Sequence, residues 1–305
     1  MTGEAAHSSF RHNAFVYESF EEYVERGVAF LREGLEAGEA VVVGDTPRRL
    51  TAMREAFGAD ARQVSFCDVS SIYTRPARTL AAYCGLFANE LRTAPSVRAI
   101  ADVQLGPTPW ESAEWTGYEA LTNVAYSHLP VWLVCTYNMY RAPDPMLEGV
   151  WRTHPEVLTD EWQESDAFDD PRAVVRTFTP TPQPLPALRP VAVRDDIDVF
   201  RERLASELAA ENVTGAKALD MLLAGTEIAA NALTHGGGIE EVQVGRAEGR
   251  FVCEVIDRGR GFDDPLAGYR APRNGTRTGL WVARQLAWRL EFFHAPQGFT
   301  ARIWL

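Results

Sequence analysis

Between Thr179 and Pro190 the chain carries prolines at 180, 182, 184, 186 and 190. Each one removes a backbone donor and fixes φ, so neither a helix nor a central strand can run through the stretch. An extended, semi-rigid connector is predicted over residues 179–190. The 305-residue chain must therefore build two cores, one from residues 1–178 and one from 191–305, and either length suffices for a domain.

Ahead of the connector the apolar pattern alternates between two periods. Helices are predicted for Glu21 to Leu35, through Leu50, Met53 and Phe57, for Ala77 to Leu91 and for Trp110 to Ser127. Between them lie apolar runs with strand character: Ala40–Gly44, Val64–Cys67, Val97–Val103 and Val131–Tyr137. Repeated strand–helix alternation with apolar strands predicts an α/β domain, a mainly parallel sheet with helices on both faces. Residues up to about His12 are expected to be disordered. His12, Cys135 and His154 offer donors that suit zinc or haem iron, but they are far apart in sequence, so a structural role is the default for each. Asp102, near a strand end, is the better-placed pocket candidate.

The 305 residues hold 30 basic and 42 acidic side chains, for a net charge of −12. Residues 191–305 carry 14 and 16 of these, leaving 16 and 26 for residues 1–190. No basic stripe is present, which argues against direct nucleic-acid binding and suits a basic protein partner. The single lysine, Lys217, lies outside any Gly-Lys-Ser/Thr context, so a Walker-type phosphate loop is excluded. Cys67, Cys84, Cys135 and Cys253 form no Cys-x-x-Cys pair, as expected for reduced thiols. With no apolar run of about 18 residues and no charged-then-apolar leader, a soluble cytoplasmic protein without membrane contact is expected.

After the connector, Phe200, Leu204 and Leu208 mark an amphipathic helix, and Glu240 to Ile256 a hairpin turning near Ala247–Gly249. The segment Thr226–Gly236 places Glu227 and Asn231 one helical turn apart on a shared face, with Leu222, Leu223, Ile228 and Leu233 set for burial. Phe251–Asp257 is predicted as a strand running into Arg258-Gly259-Arg260-Gly261, which sets Asp257 on a rigid element beside flexible glycines. Gly279-Leu280 opens a helix with Leu280, Ala283, Ala287 and Leu290 at helical spacing, and a helix start accepts phosphate on its free N–H groups. Phe299–Leu305 is the last strand. A cation to offset the developing charge and a positioned carboxylate to orient the nucleophile are most of what phosphoryl transfer asks of a protein.

In this order the motifs of residues 191–305 resemble the Bergerat-fold (GHKL) ATPase domain, in the short form of anti-sigma-factor serine kinases. The resemblance implies an α+β two-layer sandwich that binds ATP and Mg2+. It implies Glu227 as general base, Asn231 as the magnesium ligand and Asp257 as the group recognising the adenine amino. Gly259 and Gly261 would let the backbone pass close to the base, and Thr300 would assist Asp257. The family's phosphate loop usually reads Gly-x-Gly-Leu. Here the run is Gly275-Thr276-Arg277-Thr278-Gly279-Leu280, with Arg277 in place of the first glycine, where it would either clamp phosphates or block them.

Phe30–Leu35 followed by Gly38–Val43, Tyr118–Asn123, Cys135–Asn138 and Arg152–Pro155 resemble the MEDS sensory domain, over about Arg11 to Val175. That implies a sensor of a small-molecule ligand. The resemblances together imply a regulatory serine/threonine kinase that binds a sigma factor and phosphorylates an antagonist protein, as a homodimer. The alternative is a non-catalytic GHKL-like module that captures a partner. A sensor histidine kinase would need a phosphoacceptor His before the ATPase, and Val191 to Ala210 contains none.

Overall fold

A computed structural model describes residues 9–103, 109–142, 144–179, 181–193, 195–270 and 278–305. The chain divides into two compact units, residues 1–180 and 181–305.

The first unit runs β1 (Arg11–Tyr17), α1 (Phe20–Glu36), β2 (Ala40–Asp45), α2 (Pro47–Phe57), β3 (Val64–Asp68), α3 (Pro76–Glu90), β4 (Val97–Asp102), α4 (Pro109–Ala125), β5 (Val131–Asn138), α5 (Asp144–Thr153), β6 (Glu156–Leu158), β7 (Trp162–Glu164) and α6 (Pro171–Phe178). Its seven-stranded sheet has the order β3-β2-β4-β5-β1-β6-β7. Every pairing is parallel except β6 with β7. On one face, Phe15, Val41, Val43, Ile100, Trp132 and Val134 form a core with Tyr23, Val28 and Leu31 of α1 and Leu50, Met53 and Phe57 of α2. Strand residues alternate sides, so Cys135 and Tyr137 of β5 lie on the opposite face, where α4 packs against α3, α5 and α6. The α/β expectation holds.

Of the residues expected to be disordered, Arg11 and His12 are ordered in a strand, and residues 1–8 lie outside the described residues. Arg11–Tyr17 lies inside the sheet, pairing β5 on one side and β6 on the other. Its polar residues hid the strand, yet they are matched in place: Trp132 Nε1 donates to Asn13 Oδ1 at 2.8 Å and Asn13 Nδ2 to Glu156 Oε2 at 2.8 Å. A second buried polar pair joins Arg98 of β4 to Glu39, Nε to Oε2, at 2.6 Å.

The second unit runs β8 (Arg189–Val191), α7 (Ile197–Ala210), α8 (Gly215–His235), β9 (Ile239–Ala247), β10 (Arg250–Asp257), α9 (Gly279–Leu286), β11 (Arg289–Ala295) and β12 (Gly298–Trp304). Its sheet is antiparallel, with the order β11-β12-β10-β9-β8. Glu248 and Gly249, at φ of 51° and 72°, make the two-residue turn between β9 and β10, the twist that suits a tight hairpin. One sheet face meets the helices: Val242, Val244, Cys253, Val255, Ala301 and Ile303 share a core with Phe200, Leu204, Met221, Ile228 and Ala283. This is the expected two-layer sandwich.

Three details differ from expectation. Residues 189–191, at the end of the proline run, pair with β9, because an edge strand tolerates a proline whose missing donor faces away from the ladder. Leu290 belongs to β11 rather than to the helix opened at Gly279, since the chain turns extended at Ala287 (ψ 143°) and the apolar period changes to two. Leu223 is 46% exposed; α8 buries Met221, Ala224, Gly225, Ile228, Ala229 and Ala232 instead.

Candidate functional site

Helix α8 carries Glu227 and Asn231, both half-buried. The start of α9 lies against them: a Cβ on Gly279 would stand 2.7 Å from Glu227 Oε2, 3.5 Å from Asn231 Nδ2 and 3.7 Å from Asn231 Oδ1. A side chain at 279 would have to push the Glu227 carboxylate aside. Among the described residues Asn231 Nδ2 is buried with no hydrogen-bond partner, a costly arrangement for an amide nitrogen inside a protein. Leu280 follows with its side chain on the core, and the Gly268 turn packs on its backbone, 2.8 Å from a Cβ position to Leu280 O.

At its other end α8 stops on Gly236, and a Cβ there would lie 2.4 Å from Asp257 Cγ. The helix end and the end of β10 therefore meet at the carboxyl. Gly259 N donates to Asp257 Oδ1 at 2.7 Å, and a Cβ on Gly259 would press on Gly236 and on the same oxygen. Gly261, at φ +62°, passes over Phe299, 2.1 Å from a Cβ position to the ring. Burial raises the Asp257 pKa; the Gly259 amide and His294 act against it. Glu227 precedes Gly236 by nine positions, about 14 Å along the axis, so the helix sets a carboxylate and a carboxamide toward one end of an elongated surface and meets Asp257 at the other.

Thr300 does not join this group. It pairs with Ile256, whereas Asp257 pairs with Phe299, so strand alternation puts Thr300 on the sheet face opposite Asp257. Among the described residues its buried hydroxyl has no hydrogen-bond partner. The side chain beside Asp257 is Phe299, in an aromatic wall with Phe262 (ring centroids 5.1 Å), Phe292 (6.1 Å) and His294 (5.3 Å). Sequence inspection passed over this wall, although the apolar alternation in Phe292–Ala295 and Gly298–Ala301 carries its signal. Arg277 lies outside the described residues.

In the first unit Asp102 is engaged by Arg49, whose Nη1 donates to it at 2.9 Å while Nε meets Asp45 at 3.0 Å. His12, Cys135 and His154 do converge, and Glu119 of α4 joins them: one ligand atom from each lies within 4.8 Å of the others. All four are buried. Burial, then the neighbouring His154, pushes the His12 imidazole down to about 4, and burial pushes the Cys135 thiol well up. His12 and Asn123 also line a cavity of about 440 Å3 with Phe10, Asn13, Pro155 and Phe168.

Two family descriptions match the chain. Residues 11–155 match MEDS, the MEthanogen/methylotroph, DcmR Sensory domain, and residues 191–304 match the histidine kinase-like ATPase domain. No curated protein and no solved structure matches it significantly. Among the described residues no helix is long and apolar enough to cross a membrane.

Proposed function

Because the chain joins a MEDS sensory domain to a histidine kinase-like ATPase domain, we propose that it is a cytoplasmic signalling protein of the anti-sigma type. It binds ATP with Mg2+, phosphorylates a serine or threonine of an antagonist protein, and sequesters a sigma factor as a homodimer, under control of a small molecule bound by the sensory unit. The observation that carries this is the packing of Gly279 against both Glu227 and Asn231, which sets a carboxylate, a cation ligand and a helix start at one point.

The residues present fit the nucleotide. Asn231 would hold magnesium through its untied carboxamide, and Asp257 would accept from the adenine amino group beside Phe299. The first amides of α9 would offer donors to the phosphates. Bound Mg2+ offsets charge on the transferred phosphoryl group. Glu227 takes the proton from the incoming serine hydroxyl as its oxygen bonds to phosphorus, and ADP leaves with the electron pair of the broken bond.

Calorimetry with Mg·ATP and transfer of labelled phosphate to the antagonist test this together. Glu227→Ala is expected to bind ATP and to transfer nothing, and Asn231→Ala to lose the magnesium-dependent part of affinity. ATP binding by the parent without any transfer would favour the non-catalytic module, and no ATP binding at all would remove the kinase reading and leave only a module that captures a partner through protein contacts.

A further inference from the structure

Four donors meet in the core of the sensory unit, between the sheet and helices α4 and α5: His12 from β1, Cys135 from β5, Glu119 from α4 and His154 just past α5. His12 Nε2 stands 3.3 Å from Cys135 Sγ and 3.3 Å from Glu119 Oε2, and His154 Nε2 stands 3.4 Å from the same oxygen.

Their outer hydrogen bonds fix what each presents inward. His154 Nδ1 lies 2.9 Å from Val150 O; a carbonyl only accepts, so Nδ1 carries the hydrogen and Nε2 a lone pair. Asn123 Nδ2 donates to Thr153 O at 2.8 Å, which orients Asn123 Oδ1 toward His12 Nδ1 at 3.2 Å. His12 Nδ1 is therefore the donor and its Nε2 also offers a lone pair. Both imidazoles aim lone pairs at a carboxylate. Among the described residues, neither Glu119 oxygen nor His154 Nε2 makes a hydrogen bond of good geometry, and Glu119 is 2% exposed. Acceptors facing acceptors in a dry core need a cation between them.

We propose that His12, Glu119, Cys135 and His154 form a metal site for a divalent cation of the zinc type. Donors at zinc bond lengths stand about 3.3–3.6 Å apart around a tetrahedron; three of the contacts here are 3.3, 3.3 and 3.4 Å, and all four ligand atoms lie within 4.8 Å of one another. Two imidazoles with thiolate and carboxylate suit zinc's intermediate softness. Binding exchanges the Cys135 S–H bond for S–M, with the proton released to solvent. A dication with one thiolate, one carboxylate and two neutral rings is a complex of zero net charge, which a buried site tolerates. Asn123 and the Val150 carbonyl hold the rings from outside. Four protein donors close the coordination sphere, the mark of a structural rather than a catalytic metal. The cavity that shares His12 and Asn123 in its wall links this centre to the space where a sensory ligand would sit.

The test uses the full chain, purified without chelator and measured for metal by mass spectrometry. Zinc stoichiometric with the chain is expected, together with near-ultraviolet thiolate-to-cobalt absorption and intense visible bands when cobalt replaces it. Cys135→Ser abolishes the charge-transfer absorption, while Cys253→Ser, in the other unit, keeps it. Asn123→Ala, which spares all four donors, lowers zinc affinity about 10- to 100-fold. A folded parent that carries no metal, and whose melting temperature and cobalt spectrum do not respond to added zinc or cobalt, would overturn the proposal whatever the variants do.

Discussion

Gly279, the first residue of α9, packs on Glu227 of α8 so closely that a Cβ there would stand 2.7 Å from Oε2. Glycine-to-alanine at a helix position normally favours the helix by about 0.5–1 kcal/mol, and here the obstructing atom is the far end of a flexible side chain. The fold of Gly279→Ala is therefore expected to survive, with Glu227 turned aside. Melting temperature should hold or rise slightly, ATP affinity should stay within a few-fold, and phosphotransfer should fall by about tenfold or more, each ~1.4 kcal/mol of barrier being a factor of ten. Parallel melting, calorimetry and transfer assays separate these effects.

Ionised, Asp257 would be the stronger acceptor for an adenine amino group, and burial favours its neutral form. Its pKa in the folded chain lies above that of an exposed Asp, about 3.9. A group raised in this way contributes stability fully present below its unfolded pKa and lost as pH rises through the folded value. Nucleotide binding has the opposite sign: ATP affinity should decline as pH falls through the raised pKa, with protons released on binding in that range. Asp257→Asn should flatten the profile and cost ~1–3 kcal/mol of binding. Calorimetry in buffers of different ionisation enthalpy reads both.

Gly261 and Gly249 both have positive φ, +62° and +72°, but only Gly261 faces an obstacle, the Phe299 ring; around Gly249 nothing lies within 4 Å. Gly249→Ala is expected to cost about 1 kcal/mol for the left-handed backbone alone. Gly261→Ala should cost ~1–3 kcal/mol and weaken ATP binding as Phe299 moves beside Asp257. Denaturant unfolding of the two variants isolates the aromatic contact.

Much of this was legible wherever local chemistry and global fold agree. The apolar run Val41–Val43 between helices and the Glu227/Asn231 spacing each report one environment directly. What sequence missed were side chains whose neighbours come from afar. His12 and Asn13 look like a solvated terminus until Glu156, Trp132, Asn123 and Cys135 are brought to them. Glu119 on α4 resembles any acidic helix residue, and only strand pairing places Cys135 beside it. Thr300 went wrong by one position, because a period of two reverses the face of a strand residue with each step.

The last expectation concerns Arg98, which is 2% exposed on β4. Its Nε bonds Glu39 at 2.6 Å and Nη1 reaches Glu33 at 3.0 Å and Phe30 O at 3.2 Å. Its guanidinium also lies 5.0 Å from the Phe30 ring and 4.7 Å from that of Trp132. Removing one charge strands the other in a medium that hydrates it poorly, so Arg98→Leu should destabilise the first unit by ~3–5 kcal/mol. Glu39→Gln should cost less, since the amide oxygen still accepts from Arg98 Nε while the amide nitrogen donates to Ser96 Oγ, which reverses its role. In Arg98→Leu/Glu39→Leu no uncompensated charge remains, and the loss should be smaller than the sum of the single replacements. Urea unfolding followed by Trp132 fluorescence supplies the double-mutant cycle. A coupling near zero would mean that Glu33 and the flanking rings, rather than Glu39, hold the guanidinium in the core.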